Sequence, residues 1–216
     1  MGQKYCGLLP ADDDALPSLR ERLAFYVAVP APWIALYEIT AHLHLPGRAF
    51  RFAFEDRLPI YVWTALLYQS IYLVAAAAPW LARTRRDLRR LTISMWVSMA
   101  VVFPFYWLVP STAPRRHLAV TGWVAHVLQW ERNTYPPTAA FPSFHVLWAI
   151  FLARLIRPAW LGIAYAAAVT ASCITTGMHY IPDVLASLAM APFLLDPLRF
   201  PRRGRPVRRS ATSSGS

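Results

Sequence analysis

The chain has 216 residues but only one lysine, Lys4, and eleven acidic residues, so its formal net charge is +11. Its basic side chains are almost all arginine, a usage that fits a GC-rich bacterial genome. A surplus of this size serves either nucleic acid or anionic lipid headgroups. Nucleic acid requires a basic face on a soluble domain, and the sequence offers none. Charge is also missing from long stretches. It stands in short clusters between apolar runs, 56% of residues are hydrophobic, and mean hydropathy is +0.34. That pattern excludes an ordinary soluble fold and fits a chain whose solvent is lipid. Cysteine is scarce: Cys6 and Cys173 fall on opposite sides of the membrane in the topology below, so no disulfide is expected. No cysteine cluster and no His-x-x-x-His pair is present, so a zinc ion would have only His145, His179 and Asp183. No metal and no cofactor is expected. The first apolar run is too long for a signal-peptide core and lacks a small-residue cleavage site, so it stays as a span. Neither an internal repeat nor a second soluble domain is visible.

Six apolar segments are present, approximately at 24–45, 59–82, 91–109, 141–156, 158–176 and 180–195. The first three approach the ~20 residues that cross a bilayer, the fourth and sixth are short, and Arg154 must reach toward an interface. Trp80, Trp107 and Trp160 lie near span ends, where aromatic belts form. The expected fold is all-α, a polytopic membrane protein built as a six-transmembrane-helix bundle. A cytoplasmic N-terminal segment (1–23) precedes the membrane domain (24–196), and a basic tail without order (197–216) follows, held near anionic lipid. Sixteen lysines and arginines fall on one side, at the N-terminus, the 83–90 loop, Arg154, Arg157 and the tail. Arg48, Arg51, Arg57, Arg115, Arg116 and Arg132 fall on the other. That bias puts both termini in the cytoplasm, with the bacterial cytoplasmic membrane as the expected location.

The longest gap, 110–140, then faces outward. In it Leu118, Val120, Trp123, Val124, Val127 and Leu128 recur at near-helical spacing, with His126, Gln129 and Glu131 between them. An amphipathic helix in the headgroup layer is the natural reading, and a plain loop packed on the bundle is the alternative.

Three polar clusters lie at outer ends of spans: Pro110–Arg116, Phe141–His145 and His179–Asp183. Pro182 fits only the first turn of a helix, so the sixth span begins near Tyr180 with His179 at its cap. There the helix dipole is positive and welcomes an anion. Asp183 follows one turn along the same face. A carboxylate there would keep one imidazole nitrogen protonated and leave the other free to attack. Each cluster also has a plainer reading. The His–Asp pair is a common structural hydrogen bond, and His145 a single interfacial histidine. Ser143 makes a helix cap, and Arg115 and Arg116 make contacts to lipid phosphate. Together, on one side of the membrane, they describe a phosphate-handling site. Arginine clamps the dianion, one histidine attacks and the other protonates the leaving oxygen.

In order and spacing these clusters resemble the three motifs of the type-2 phosphatidic acid phosphatase superfamily, membrane lipid phosphatases and phosphotransferases. Pro142-Ser143-Phe144-His145 stands for Pro-Ser-Gly-His. Ser172-Cys173, five residues, His179, three residues and Asp183 stand for Ser-Arg-x5-His-x3-Asp. The first motif survives only as Pro114-Arg115, similar to the branch containing inositol phosphorylceramide synthases. The resemblance covers about residues 24–196. It implies that His179 is a nucleophile forming a phosphohistidine, Asp183 orients it, and His145 protonates the leaving group. Arg115 and Ser143 then bind the phosphoryl oxygens, and no metal takes part; Arg116 joins them only on the reading of the paired arginines as a phosphate clamp. Departures are equally specific: Leu108 stands where a lysine is expected, Arg116 for a proline, Phe144 for a glycine and Cys173 for an arginine. The stretch His179-Tyr180-Ile-Pro-Asp183-Val184 is similar to one in sphingomyelin synthases, which also lack that arginine.

The expected activity is thus cleavage or transfer of a lipid phosphate or phosphodiester at the extracytoplasmic face. The alternative is a non-catalytic protein that binds or moves anionic lipid with the same pocket. A transporter using Glu38 as a proton site is a third reading, without the paired broken helices such proteins show. Glu38 equally fits a hydrogen bond to a neighbouring span.

Overall fold

The computed structural model describes residues 13–114, 116–134 and 138–195. Arg115, most of the segment before α1 and the basic tail lie outside the described residues.

Among the described residues all regular structure is helical. Ser18 caps α1 (Leu19–Ala28) in a reciprocal box with Glu21. Pro30, which has no N–H to donate, then breaks the first span, and α2 (Pro30–His42) restarts with it in the first turn. Next come α3 (Ala65–Leu81), entered through a 3-10 turn at Val62–Thr64, and α4 (Arg85–Leu108), capped by Thr84. The gap does contain a helix, α5 (Gly122–Thr134), and α6 (Phe144–Ala153), α7 (Ala159–Thr175) and α8 (Ile181–Leu194) complete the bundle.

Three stretches are long and apolar enough to cross a membrane: Leu19–His42, Val62–Leu81 and Arg85–Leu108. The helices of the last three apolar segments are shorter. At 1.5 Å per residue α6 rises only about 15 Å. It can be that short because α3, α4, α7 and α8 surround it. Two amides at its start find protein partners, Ser143 N–H donating to Ser187 Oγ at 2.7 Å and Val146 N–H to Ser143 Oγ at 3.5 Å. Phe144, Leu147, Phe151 and Leu152 fill the core with Met95, Met99, Phe103 and Tyr106 of α4. The outward faces carry Leu23, Val27, Leu73, Trp160, Ile163 and Phe193 in exposed positions. A bundle apolar both inside and out is a polytopic membrane fold.

Arg154 ends α6 by donating to the Leu195 carbonyl at 3.2 Å, a cation at the C-terminus of α8. The α6–α7 contact depends on Gly162. A Cβ built there would lie 2.2 Å from the Ala153 carbonyl oxygen, part of the backbone rather than a movable side chain. Gly162→Ala is expected to force the two helices apart at a cost of about 1–3 kcal/mol. Thermal unfolding of the detergent-solubilised protein should show a clear drop in Tm; an unchanged Tm would mean the two helices are not this close.

Candidate active site

The site starts from how α8 starts. With Pro182 in its first turn the helix begins at Ile181 and Tyr180 is the N-cap, so His179 stands one residue ahead of the cap rather than on it. Two backbone amides freed at this end go to carboxylates. Tyr180 N–H donates to Asp183 Oδ2 at 2.9 Å, and Ile181 N–H donates to Glu55 Oε1 at 2.5 Å. The same Asp183 oxygen is 3.5 Å from His179 Nδ1, which also lies 3.1 Å from the Ala140 carbonyl. A ring nitrogen facing two acceptors carries the proton, so Nε2 keeps its lone pair. His179 lines a cavity of about 530 Å³.

The Ala140 carbonyl is held in turn. Ala140 N–H donates to the Ser111 carbonyl at 3.2 Å, and Ser111 N–H to that of Thr138. Arg48 N–H donates to the Pro110 carbonyl, and Thr112 N–H to that of Arg48. The α2–α3, α4–α5 and α5–α6 connections are thereby stitched into a patch beside the cavity, without forming a strand.

His145, in the first turn of α6, faces His179 with ring centroids 6.0 Å apart. Its ring stacks on Tyr68 at 3.9 Å and meets Tyr72 edge-on at 5.5 Å. The Tyr68 hydroxyl is 3.1 Å from Nδ1, and Glu131 Oε1 is 3.9 Å from Nε2. Glu131 is buried on α5, where it accepts from the Tyr72 hydroxyl at 2.7 Å and from the Gln69 amide. Burial pushes its carboxyl up from an ordinary 4.5 to about 7, against the pull of those two hydrogen bonds.

Cations occupy the next wall. Arg116 donates to the carbonyls of Leu58, at 3.1 Å, and Ile174. Arg132 donates to those of Arg116 at 3.2 Å, Thr176 at 2.9 Å and Gly177 at 3.2 Å. Burial lowers the pKa of both, and for Arg132 the charge of Arg116 adds to it. Arg116 also borders a second cavity of about 490 Å³.

Of the residues singled out from sequence, His179, His145 and Arg116 line one cavity, with Asp183 fully buried behind His179. Ser143 is fully buried, caps α6 through Val146 N–H at 3.5 Å, and does not line the cavity. Arg115 lies outside the described residues. Leu108 is 82% exposed, so nothing at the missing lysine position reaches the site. Glu38 is exposed on α2 and bonds no neighbouring span among the described residues. Among the described residues, no three His, Cys, Asp or Glu side chains are grouped as metal ligands would be.

A family model described as the PAP2 superfamily matches residues 33–195. The chain belongs to the PAP2 superfamily. Searches of curated proteins and of solved structures return no match. Membership carries a phosphatase or phosphotransferase type of function.

Two neighbours on α5, Glu131 and Arg132, enter this PAP2 site although motif reading passed over them. The signal was present in the helix register. Ala125, Leu128 and Glu131 form the buried face, so a carboxylate continues an apolar stripe. Trp123, read with Val124 and Leu128 as one stripe, instead points outward, as does Trp130. Glu55, which caps α8 from a distant loop, left no local signal at all.

Because the Glu131 carboxyl titrates higher in the fold than in an unfolded chain, its contribution to stability is complete below pH 4.5. That contribution is lost as pH rises through about 7. Between those limits the loss is on the order of 3 kcal/mol. Thermal unfolding at a series of pH values should show this fall in the wild type and a flatter limb in Glu131→Gln; parallel curves would refute it.

Proposed function

We propose that this chain is a metal-independent membrane lipid phosphatase or phosphotransferase that works through a phosphohistidine on His179. The observation that carries the reading is His179 itself: its Nδ1 lies against the Ala140 carbonyl and Asp183, which leaves Nε2 free, and the residue lines a cavity shared with His145 and Arg116. The Nε2 lone pair attacks phosphorus and the bond to the leaving oxygen breaks. His145 acts as the imidazolium: its Nδ1–H donates to the Tyr68 hydroxyl oxygen, Glu131 near Nε2 favours the charge, and the Nε2 proton passes to the leaving oxygen, which leaves a neutral ring. Water or a lipid hydroxyl then attacks the phosphohistidine and gives its proton back to His145, and His179 is restored. Arg116, together with Arg115, binds the phosphoryl oxygens. Ser143 joins them only by turning out of its cap.

The substrate is a lipid phosphate or phosphodiester, since the catalytic groups stand among apolar helices. The extracytoplasmic leaflet is favoured by charge: Arg90, Arg154 and Arg157 gather at the other end of the bundle. The outward face of α5, with Trp123 and Trp130 exposed, suits an interface next to the cavity mouth. The similarity of the His179–Val184 stretch to sphingomyelin synthases favours transfer to a lipid hydroxyl.

Purified protein in mixed micelles is offered phosphatidic acid, isoprenyl diphosphate, and phosphodiester lipids with a hydroxyl acceptor, and products are read by mass spectrometry. Free phosphate identifies a hydrolase and a new headgroup lipid a transferase. His179→Ala should lower either rate on the order of 10³-fold or more, and Asp183→Asn by a smaller factor. Lipid binding that survives in His179→Ala, with no turnover in either protein, would instead mark a non-catalytic lipid-binding protein.

A further inference from the structure

Arg132 and Arg116 come from different segments, yet their guanidiniums converge on one spot. A Cβ built on Gly177 would lie 2.8 Å from Arg132 Nη2 and 3.2 Å from both Nε and Nη2 of Arg116. Gly177 has φ +69°, so glycine answers both a backbone need and a lack of room there. Two like charges this close repel, and among the described residues neither makes an ion pair. The Glu131 carboxylate, next to Arg132 in sequence, is turned to Tyr72, Gln69 and His145, and Glu55 accepts from the start of α8, favouring the charge of Arg116 without an ion pair to it. Among the described residues, the hydrogen bonds of the pair go to carbonyl oxygens. Of the roughly ten N–H groups two guanidiniums offer, five bonds to described residues occupy about half, and both Nε–H groups are buried without a partner among the described residues. Such an arrangement costs stability unless an anion completes it. The cavity wall it forms also bears His179, and Cys173, standing where the family has arginine, is fully buried off that wall.

We infer that Arg132 is a phosphate-binding residue. With Arg116 it forms a two-arginine clamp for the phosphoryl group, replacing from α5 the contact that Cys173 cannot make. This rests on the phosphoryl-transfer reading for its biological meaning, but anion binding can be measured without turnover. The ligand chemistry is a phosphoryl dianion, free or on a lipid.

The test measures binding of inorganic phosphate and of short-chain phosphatidic acid to the full-length protein in detergent, by calorimetry, with Tm recorded for each variant. Arg132→Gln should weaken binding at least tenfold, Arg132→Lys by a smaller factor because it keeps the charge, and His179→Ala should still bind. Weakening of both probes marks phosphate itself as the recognised group. Weakening of the lipid alone, where phosphate does not bind, marks the headgroup, and either result supports the clamp. Wild-type affinity in Arg132→Gln would overturn it. So would an equal loss of affinity in Gln and Lys variants accompanied by equal loss of Tm, because Arg132 would then merely hold carbonyls. Because His179→Ala is read for binding alone, failure of the catalytic reading does not mimic failure of the clamp.

Discussion

The Asp183 carboxylate is the point at which fold and site are one structure. A single oxygen takes the amide that α8 frees at its start and stands within reach of the imidazole just ahead of it. In an apolar bundle a helix start exposes donors that neither lipid nor core can satisfy. The carboxylate that meets this need is therefore placed, by the same geometry, where it can orient His179. The Asp183 backbone carbonyl extends the linkage by accepting from Ser143 N–H and from the Ser187 hydroxyl, and so joins the start of α8 to the start of α6. Both histidines are thus located by helix termini that pack on each other in the protein interior.

Around this junction, polar groups are arranged by a division of labour. α6 and α8 bring the histidines, the loop stitch brings the carbonyl that faces His179, and α5 brings a carboxylate to one histidine and a guanidinium to the wall beside the other. α3 joins in through Tyr68, Tyr72 and Gln69, all of which touch His145 or Glu131. The cavity is therefore finished by elements far apart in sequence, and none of them could form it alone.

What the sequence made legible follows from how local each feature is. Apolar runs mark helices because lipid demands continuous hydrophobicity, and His179-x-x-x-Asp183 is readable because a single helical turn fixes the distance. Glu131 and Arg132 were harder, since their meaning depends on which face of α5 turns inward, and Trp123 on the outer face obscured it. Pro30, which breaks the first span, went unread because one proline inside an apolar run does not announce a break. Nothing in the sequence around Glu55 could tell that it caps a helix 126 residues further on. Ser143 shows a motif residue whose local role, the helix cap, is the one its geometry displays.

The acceptor facing His179 is insensitive to mutational drift. Ala140 offers the imidazole a main-chain carbonyl, and a main-chain amide anchors that residue to Ser111. Every amino acid carries the same carbonyl. Position 140 can therefore change its side chain over generations without losing this half of the histidine's orientation, provided the small volume there is respected. Half of what aims the ring is thus written in chain path rather than in residue identity, and a comparison of residue letters alone passes over it.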